Sequence, residues 1–76
     1  MKDLLLYIAQ NLVDKPEEVT VTETQKDGET TFELRVAAGD MGKVIGRGGR
    51  IAKEIRSLMR SVASRKGIRI SVDIVD

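Results

Sequence analysis

Three glycines within four residues, in the segment Gly-Arg-Gly-Gly at 46–49, constrain the fold of this chain more than any other feature. Ahead of them, Asp40 can cap a short helical turn that reaches Val44 or Ile45. Behind them, a long helix is predicted over residues 50–66. Glycine accepts positive φ angles and has no side chain, so the backbone can turn tightly here and stay open to a ligand. Any fold for this chain must therefore join two helices through a bare backbone loop.

The predicted helix 50–66 has one apolar face and a clear end. Its large apolar residues follow the i, i+4, i+7, i+8, i+11 spacing of a helix that packs against a core. They are Ile51, Ile55, Leu58, Met59 and Val62. Gly67 stands where a left-handed C-terminal cap belongs. Arg56 and Arg60 fall on other sides of the helix, which assigns them to the solvated surface.

Three further segments alternate between apolar and polar residues, as strands with one buried face do. They cover residues 19–24, 31–36 and 68–74, and the turn signal at 26–29 joins the first two as an antiparallel hairpin. The residues predicted to face the core are Val19, Val21, Phe32, Leu34, Val36, Ile68, Ile70, Val72 and Ile74.

A first helix is predicted over residues 3–13, with Asp3 as its N-cap and Pro16 beyond its end. The element order is therefore α-β-β-α-α-β. Because a long helical segment separates the second and third strands, these strands should be parallel neighbours joined by a right-handed crossover. We expect one domain over residues 1–76 of the α+β class, an α/β sandwich in which helices pack on one face of a three-stranded mixed sheet.

The charged residues are unevenly distributed, although the net formal charge is only +1. Residues 1–42 contain four cations against nine acids, whereas residues 43–69 contain nine cations against Glu54 alone. A basic segment in an otherwise acidic chain suggests a polyanion held on one face. A solubilising surface on one helix would give the same distribution, so the charge pattern leaves both interpretations open.

The absence of cysteine and histidine from the sequence excludes several functions. A disulfide framework, a Cys/His zinc site, a thiol nucleophile and the commonest general base are all missing. No carboxylate pair stands out, so we expect neither an enzyme nor a metal or cofactor site. The longest apolar run, residues 4–9, is far shorter than a membrane span, and no secretory signal pattern precedes it. A reduced, cytoplasmic domain without a membrane partner is expected.

Three kinds of phosphate-binding glycine loop can be compared with segment 46–49. A P-loop needs Lys-Ser or Lys-Thr after its last glycine, and Arg50-Ile51 stands there instead. The dinucleotide fingerprint GxGxxG, begun at Gly46, needs a glycine where Ile51 stands, and it should follow a strand directly. The GxxG loop of a KH domain lies between two helices and clamps about four nucleotides. Both its pattern and its location fit, and the remaining alternative is a plain helix–helix turn.

The run GKVIGRGGRIAKEIR at 42–56 resembles the corresponding part of type II KH domains, and the resemblance covers nearly the whole chain. Its length makes it similar to the small stand-alone bacterial KH proteins of the KhpA family. Many KH domains have an isoleucine three residues after the last loop glycine, where this chain has Ala52 preceded by Ile51. The helical stripe still holds through Ile51 and Ile55, so the departure concerns the groove and not the fold.

The resemblance implies a function and a set of partners. It implies cytoplasmic binding of single-stranded RNA, a role as an RNA chaperone or post-transcriptional regulator, and homodimers. It further implies a larger KH-containing partner, KhpB (also called Jag or EloR), and a link to cell elongation and cell-wall homeostasis.

The resemblance also implies an RNA groove between the two later helices with their loop on one side and the strand 68–75 on the other. The loop backbone would hold the sugar-phosphate chain, and cations would surround it. Val44 and Ile45 would form an apolar floor for bases, with burial of Ile45 in the core as the alternative. The residues so assigned to RNA are Lys43, Val44, Ile45, Gly46, Arg47, Gly48, Gly49, Arg50, Lys53 and Arg69.

Tyr7 and Phe32 are the only aromatic residues, and both fit the core pattern. Base stacking, worth about 1–3 kcal/mol per base where it occurs, is therefore not expected. A single copy should bind RNA weakly and with strong salt dependence. The alternative from a different class is a protein-interaction or dimerisation module of the same fold, in which RNA binding is secondary. Reading of double-stranded DNA is disfavoured because no helix-turn-helix pattern is present.

Overall fold

The computed structural model describes residues 1–75; Asp76, which the sequence assigns to the same domain, lies outside the described residues. The predicted order α-β-β-α-α-β and the α+β class are confirmed. The elements are α1 (Lys2–Gln10), β1 (Thr20–Lys26), β2 (Glu29–Arg35), α2 (Met41–Ile45), α3 (Arg50–Arg65) and β3 (Arg69–Ile74). Single 3₁₀ turns lie at Pro16–Glu18, Ala38–Asp40 and Arg47–Gly49.

The three strands form a mixed sheet in the order β1-β2-β3. β1 and β2 are antiparallel, and they are joined by a turn in which both Asp27 (φ 53°) and Gly28 (φ 78°) have positive φ. This is the pattern of a type I′ hairpin turn, whose twist matches that of the strands. β2 is parallel to β3, with Phe32 opposite Val72, as the long helical connection predicted.

The core lies between one face of the sheet and the helices. Side chains from the sheet and from α1, α2 and α3 form one buried cluster, whose members are Leu5, Ala9, Val19, Val21, Phe32, Leu34, Val44, Ile55, Met59 and Val72. The opposite face of the sheet is polar, and there the Thr31 and Ser71 hydroxyls lie 3.1 Å apart across β2 and β3. The prediction of helices on one face of the sheet is therefore confirmed.

The first helix differs from its prediction at both ends. It begins at Lys2, so Met1 is the N-cap and Asp3 lies in the first turn, where its negative charge favours the helix dipole. The helix ends at Gln10, three residues earlier than predicted. The Asn11 side-chain amide donates a hydrogen bond of 2.8 Å to the Tyr7 carbonyl oxygen, which also accepts the Asn11 backbone N–H at 3.2 Å.

The buried face of α3 is rotated from the predicted stripe. Leu58 is 47% exposed, whereas Ala52 and Ala63 are buried in line with Ile55 and Met59. Helical spacing alone predicted that the large apolar residues would form the buried face of α3. In the structure the two alanines face inward, and such small side chains allow a helix to approach a sheet closely. The flanking Ile51 and Val62 are only partly buried.

The end of α3 agrees with its prediction. Gly67 has a φ of 71°, and its N–H donates to the Ser64 carbonyl at 3.1 Å. The Ile68 N–H donates to the Ala63 carbonyl at 3.0 Å, which completes a Schellman motif. Ile68 itself is 44% exposed and precedes β3, so its predicted place in the core is wrong. In the part of the chain that the structure describes, no helix combines the length and apolar content needed to cross a bilayer.

Candidate nucleic-acid interface

The glycine loop leaves α2 at Gly46, whose conformation only glycine adopts readily. Its φ of 75° and ψ of 175° lie in a region essentially closed to other residues. A Cβ atom placed on Gly46 would lie 2.7 Å from Cγ1 of Ile51, in the first turn of α3. Ile51 therefore packs directly on the bare backbone of Gly46, which fixes the direction of the loop as it leaves α2.

Gly48 and Gly49 make the outer part of the loop open. Both are left-handed, with φ of 66° and 78°, and a Cβ built on either would meet nothing within 4 Å. The Gly49 N–H donates to the Gly46 carbonyl at 3.2 Å, and the Arg50 N–H donates to the Arg47 carbonyl. Within residues 1–75, the amides of Arg47 and Gly48 donate to no protein acceptor. Adjacent free amides on an open loop can form an anion-binding concavity.

The cations nearest to the loop differ in whether they form an ion pair with an acidic side chain. Arg47, Arg50 and Lys53 are exposed, and none of them takes part in an ion pair among the described residues. The Nζ atom of Lys43 lies 3.4 Å from an Asp14 carboxylate oxygen, and both side chains are largely solvated. An exposed pair of this kind contributes little free energy, so a phosphate can compete with Asp14 for this ammonium group.

The RNA groove expected from the resemblance would lie between α3 and β3, and the structure places β3 at the edge of the sheet in contact with α3. The Val75 N–H donates to the Leu34 carbonyl at 2.9 Å, so the main-chain groups of alternate residues in β3, including Val72, face away from β2. The half-buried Arg56 donates through Nε to the Val72 carbonyl oxygen at 3.0 Å. Lys53 and Arg60 lie three and four residues from Arg56 and share its side of α3. The side of α3 next to the free edge of β3 is therefore basic.

Sequence reasoning assigned Arg56 to the solvated surface, and this assignment is wrong. The helical spacing showed only that Arg56 does not share the apolar stripe. Its contact depends on which flank of α3 faces the free edge of β3, and that follows from the rotation of the helix on the sheet. Nothing in the sequence signals this rotation except the two inward-facing alanines, Ala52 and Ala63.

The two apolar residues predicted as a floor for bases are placed differently. Val44 is completely buried and belongs to the core, whereas Ile45 is 36% exposed beside the loop. Of this pair, only Ile45 therefore presents apolar surface to a ligand.

Arg69 lies far from the other predicted site residues. It begins β3 at the opposite end of α3 from the loop, and a helix of 16 residues extends about 24 Å. Arg69 is exposed and pairs in register with Glu29, on the sheet face that points away from the helices. The structure thus brings together the loop residues 46–50 with Ile45 and Lys53, and it separates Arg69 from them.

Only one of the two aromatic residues occupies the predicted core. Phe32 is buried, but Tyr7 is 66% exposed, because its position on α1 is turned away from Leu5 and Ala9. The expectation that both aromatics are buried is wrong for Tyr7. One aromatic ring is therefore accessible on the surface of α1.

The described part of the chain contains no cluster of three or more acidic, histidine or cysteine residues that could hold a metal ion. What the site offers is main-chain amides, guanidinium and ammonium groups, and one exposed aliphatic side chain. A GxxG loop between two helices, in the order α-β-β-α-α-β with a parallel β2–β3 pair, defines a KH domain of type II.

Comparison with known proteins agrees with this class. The profile described as "KhpA/KhpB, KH domain" matches residues 2–74, and the chain belongs to this family. It is 51% identical over 76 residues to the RNA-binding protein KhpA of Chlamydia trachomatis, covering 100% of this chain and 97% of that one. It is 43% identical to the RNA-binding protein KhpA of Listeria monocytogenes, covering 100% of both chains. These relatives are RNA-binding proteins by name and not enzymes, in agreement with the non-enzymatic function expected from the sequence.

Part of the crystal structure of Era from Aquifex aeolicus has the same fold. It superposes with a TM-score of 0.66 and 16% sequence identity, and the match covers 96% of this chain and 28% of that one. At this identity the likeness supports the fold alone.

Proposed function

We propose that this protein binds single-stranded RNA, with the backbone of loop 46–49 clamped on the sugar-phosphate chain. The observation that carries the proposal is the pair of adjacent, unpartnered amides at Arg47 and Gly48, next to two glycines, Gly48 and Gly49, whose positions are open. Arginine suits phosphate recognition, and both Arg47 and Arg50 are exposed beside these amides. The names of the relatives support RNA as the polyanion.

The groove between α3 and β3 extends this clamp toward the bases. Ile45 supplies apolar surface at one end, and Lys53 and Arg56 supply cations along the helical wall. Lys43 contributes after it exchanges Asp14 for a phosphate. Arg69 contacts only an RNA long enough to reach the far end of α3. A single module that holds about four nucleotides binds with roughly micromolar affinity, and salt weakens it strongly.

The family resemblance supports a wider role for the same domain. We infer that residues 1–76 act as one KH domain in the cytoplasm, as an RNA chaperone or post-transcriptional regulator. The same resemblance supports homodimers, pairing with the larger protein KhpB, and a link to cell elongation and cell-wall homeostasis.

A protein-interaction module is the second candidate function, and the exposed Leu58 favours it. This large aliphatic side chain lies on α3 with 47% of its surface accessible, on a different flank from Arg56. A second copy docked there would join two loops in one assembly and raise the effective affinity for RNA. Dimerisation and RNA binding are therefore compatible. The two candidate functions differ in whether loop 46–49 binds RNA or is only a structural turn in a domain that docks a partner.

A titration with fluorescent single-stranded RNA oligomers at two salt concentrations tests the loop. The variant Arg47→Asp/Gly48→Asp is compared with Arg65→Asp/Gly28→Asp, which makes the same charge change far away. Gly28 also has positive φ and open surroundings, so the control is matched for backbone strain. Circular dichroism verifies that all three proteins fold.

We expect the wild type and the control to bind, more weakly at high salt, and the loop variant to lose binding. If wild type and loop variant bind equally, or neither binds, the loop is a structural turn and partner docking becomes the leading function.

A further inference from the structure

Asp40 is the one charged side chain buried within residues 1–75, and loop recognition does not use it. It is only 3% exposed. One carboxylate oxygen accepts a hydrogen bond from the Asp14 N–H at 3.2 Å, and the other accepts from the Lys15 N–H at 3.0 Å. These amides belong to the connection between α1 and β1, more than 20 residues earlier in the chain.

The position of Asp40 makes these partners unexpected. Asp40 is the N-cap residue of α2, where a carboxylate ordinarily accepts from the first turn of its own helix. Here its side chain makes no such bond, so the capping role predicted from the sequence is wrong although the position is right. A buried carboxylate needs compensation, and two charge-assisted bonds to successive amides supply it. The side chain thus ties α2 to a distant segment and does not cap the first turn of α2, where the Met41 N–H donates to the Ala38 carbonyl.

α2 depends on such a tie because it is too short to hold its own direction. It has five residues, fewer than an isolated helix needs, and the loop begins immediately after it at Gly46. Val44 anchors the middle of α2 in the core. The Lys43–Asp14 ion pair adds a second, solvated link to the same connection.

We propose that Asp40 is a positioning residue for RNA recognition. By holding the start of α2 on the Asp14–Lys15 backbone, it sets the place of the loop relative to α3 before RNA arrives. A loop held in its binding geometry loses less conformational entropy when the ligand docks. This inference rests on the proposed function of loop 46–49.

The test compares RNA affinity in Asp40→Asn and in the control Glu17→Gln. Each variant removes one negative charge, but Glu17 is exposed on the neighbouring 3₁₀ turn. Electrostatics alone would make both variants bind RNA slightly more tightly. We expect Asp40→Asn to bind about fivefold more weakly, against that trend, and Glu17→Gln to bind as tightly as the wild type or more so.

Amide spectra of the free proteins supply a readout that general destabilisation would not give. In Asp40→Asn, resonance shifts and faster hydrogen exchange should be confined to residues 14–15 and 40–49, with the sheet amides unchanged. If Asp40→Asn does not fold, Asp40→Glu replaces it, since it keeps the charge and displaces the carboxylate; the same weakening is expected.

Unchanged or tighter binding by a folded Asp40 variant, while Arg47→Asp/Gly48→Asp still abolishes binding, overturns the positioning role and leaves the loop clamp intact. If the loop variant binds as well as the wild type, the clamp itself is wrong. The two failures are therefore distinguishable.

Discussion

The Arg56 guanidinium donates a hydrogen bond of 3.0 Å to the main-chain carbonyl of Val72 and so links the middle of α3 to the free edge of β3. No acidic side chain neutralises Arg56 among the described residues. One group therefore stabilises the packing of helix on sheet and also brings an unpaired positive charge to the groove.

Arg56→Ala should separate these two effects when it is compared with Arg60→Ala. Both changes remove one cation from the same side of α3, but only Arg56 bonds to the strand. We expect Arg56→Ala to lower the free energy of unfolding by about 1 kcal/mol and Arg60→Ala to change it by less than about 0.5 kcal/mol. Urea denaturation measures both values. Equal losses would mean that the bond to Val72 contributes nothing to stability.

Gly46→Ala should be the most damaging glycine substitution in the loop region. It places a side chain at a φ of 75° and a ψ of 175°, and its Cβ would lie 2.7 Å from Ile51. We expect a loss of about 2–3 kcal/mol in unfolding free energy. Gly42→Ala is the control, since Gly42 lies inside α2 with open space around it. That change should stabilise the protein by about 0.5–1 kcal/mol. The prediction is contradicted if the two variants have the same denaturation midpoint.

The salt dependence of RNA binding should count the phosphates that the loop engages. For single strands, the slope of log K against log salt changes by about 0.7 per phosphate contact. Arg47→Ala should make the slope shallower by about that amount. Lys26→Ala removes a cation at the hairpin turn, remote from the loop, and should leave the slope unchanged. Equal slopes for Arg47→Ala and the wild type would show that Arg47 does not contact a phosphate.

Leu58→Glu tests the α3 surface as a dimer contact. Because Leu58 is already half exposed, the substitution should change the stability of the monomer little, whereas Ile55→Ala should cost about 2–4 kcal/mol through a buried cavity. Sedimentation velocity should show a dimer for the wild type and a monomer for Leu58→Glu. A dimer that persists in Leu58→Glu places the interface elsewhere, and a monomeric wild type removes the homodimer proposal.

Much of the fold could be predicted because it depends on local periodicity and on turn residues. The alternation in β2 identified Phe32 and Leu34 as core residues, and Gly67 marked the end of α3. The length of the helical connection was enough to predict that β2 and β3 are parallel. Each of these features is set by residues that are close in sequence, or by chain length.

The features that escaped prediction depend on contacts between distant segments. Helical spacing could not show that Ala52 would be buried and Leu58 exposed on α3. This depends on how the helix is rotated where it packs on the sheet. Tyr7 was predicted to fit the core pattern, but its side of α1 is exposed. The partners of Asp40 lie 25 and 26 residues away, beyond any local pattern.

The bare glycine backbone of the loop implies that phosphate binding and base recognition depend on different parts of the domain. In the proposed clamp, main-chain amides contact what every nucleotide has in common, so loop 46–49 would not distinguish one base from another. Any preference for particular bases must then come from the groove walls, through Ile45, Arg56 and the outward-facing edge of β3. If the loop binds RNA as proposed, substitutions in those walls would change which RNA sequence the domain binds while leaving the phosphate contacts unchanged.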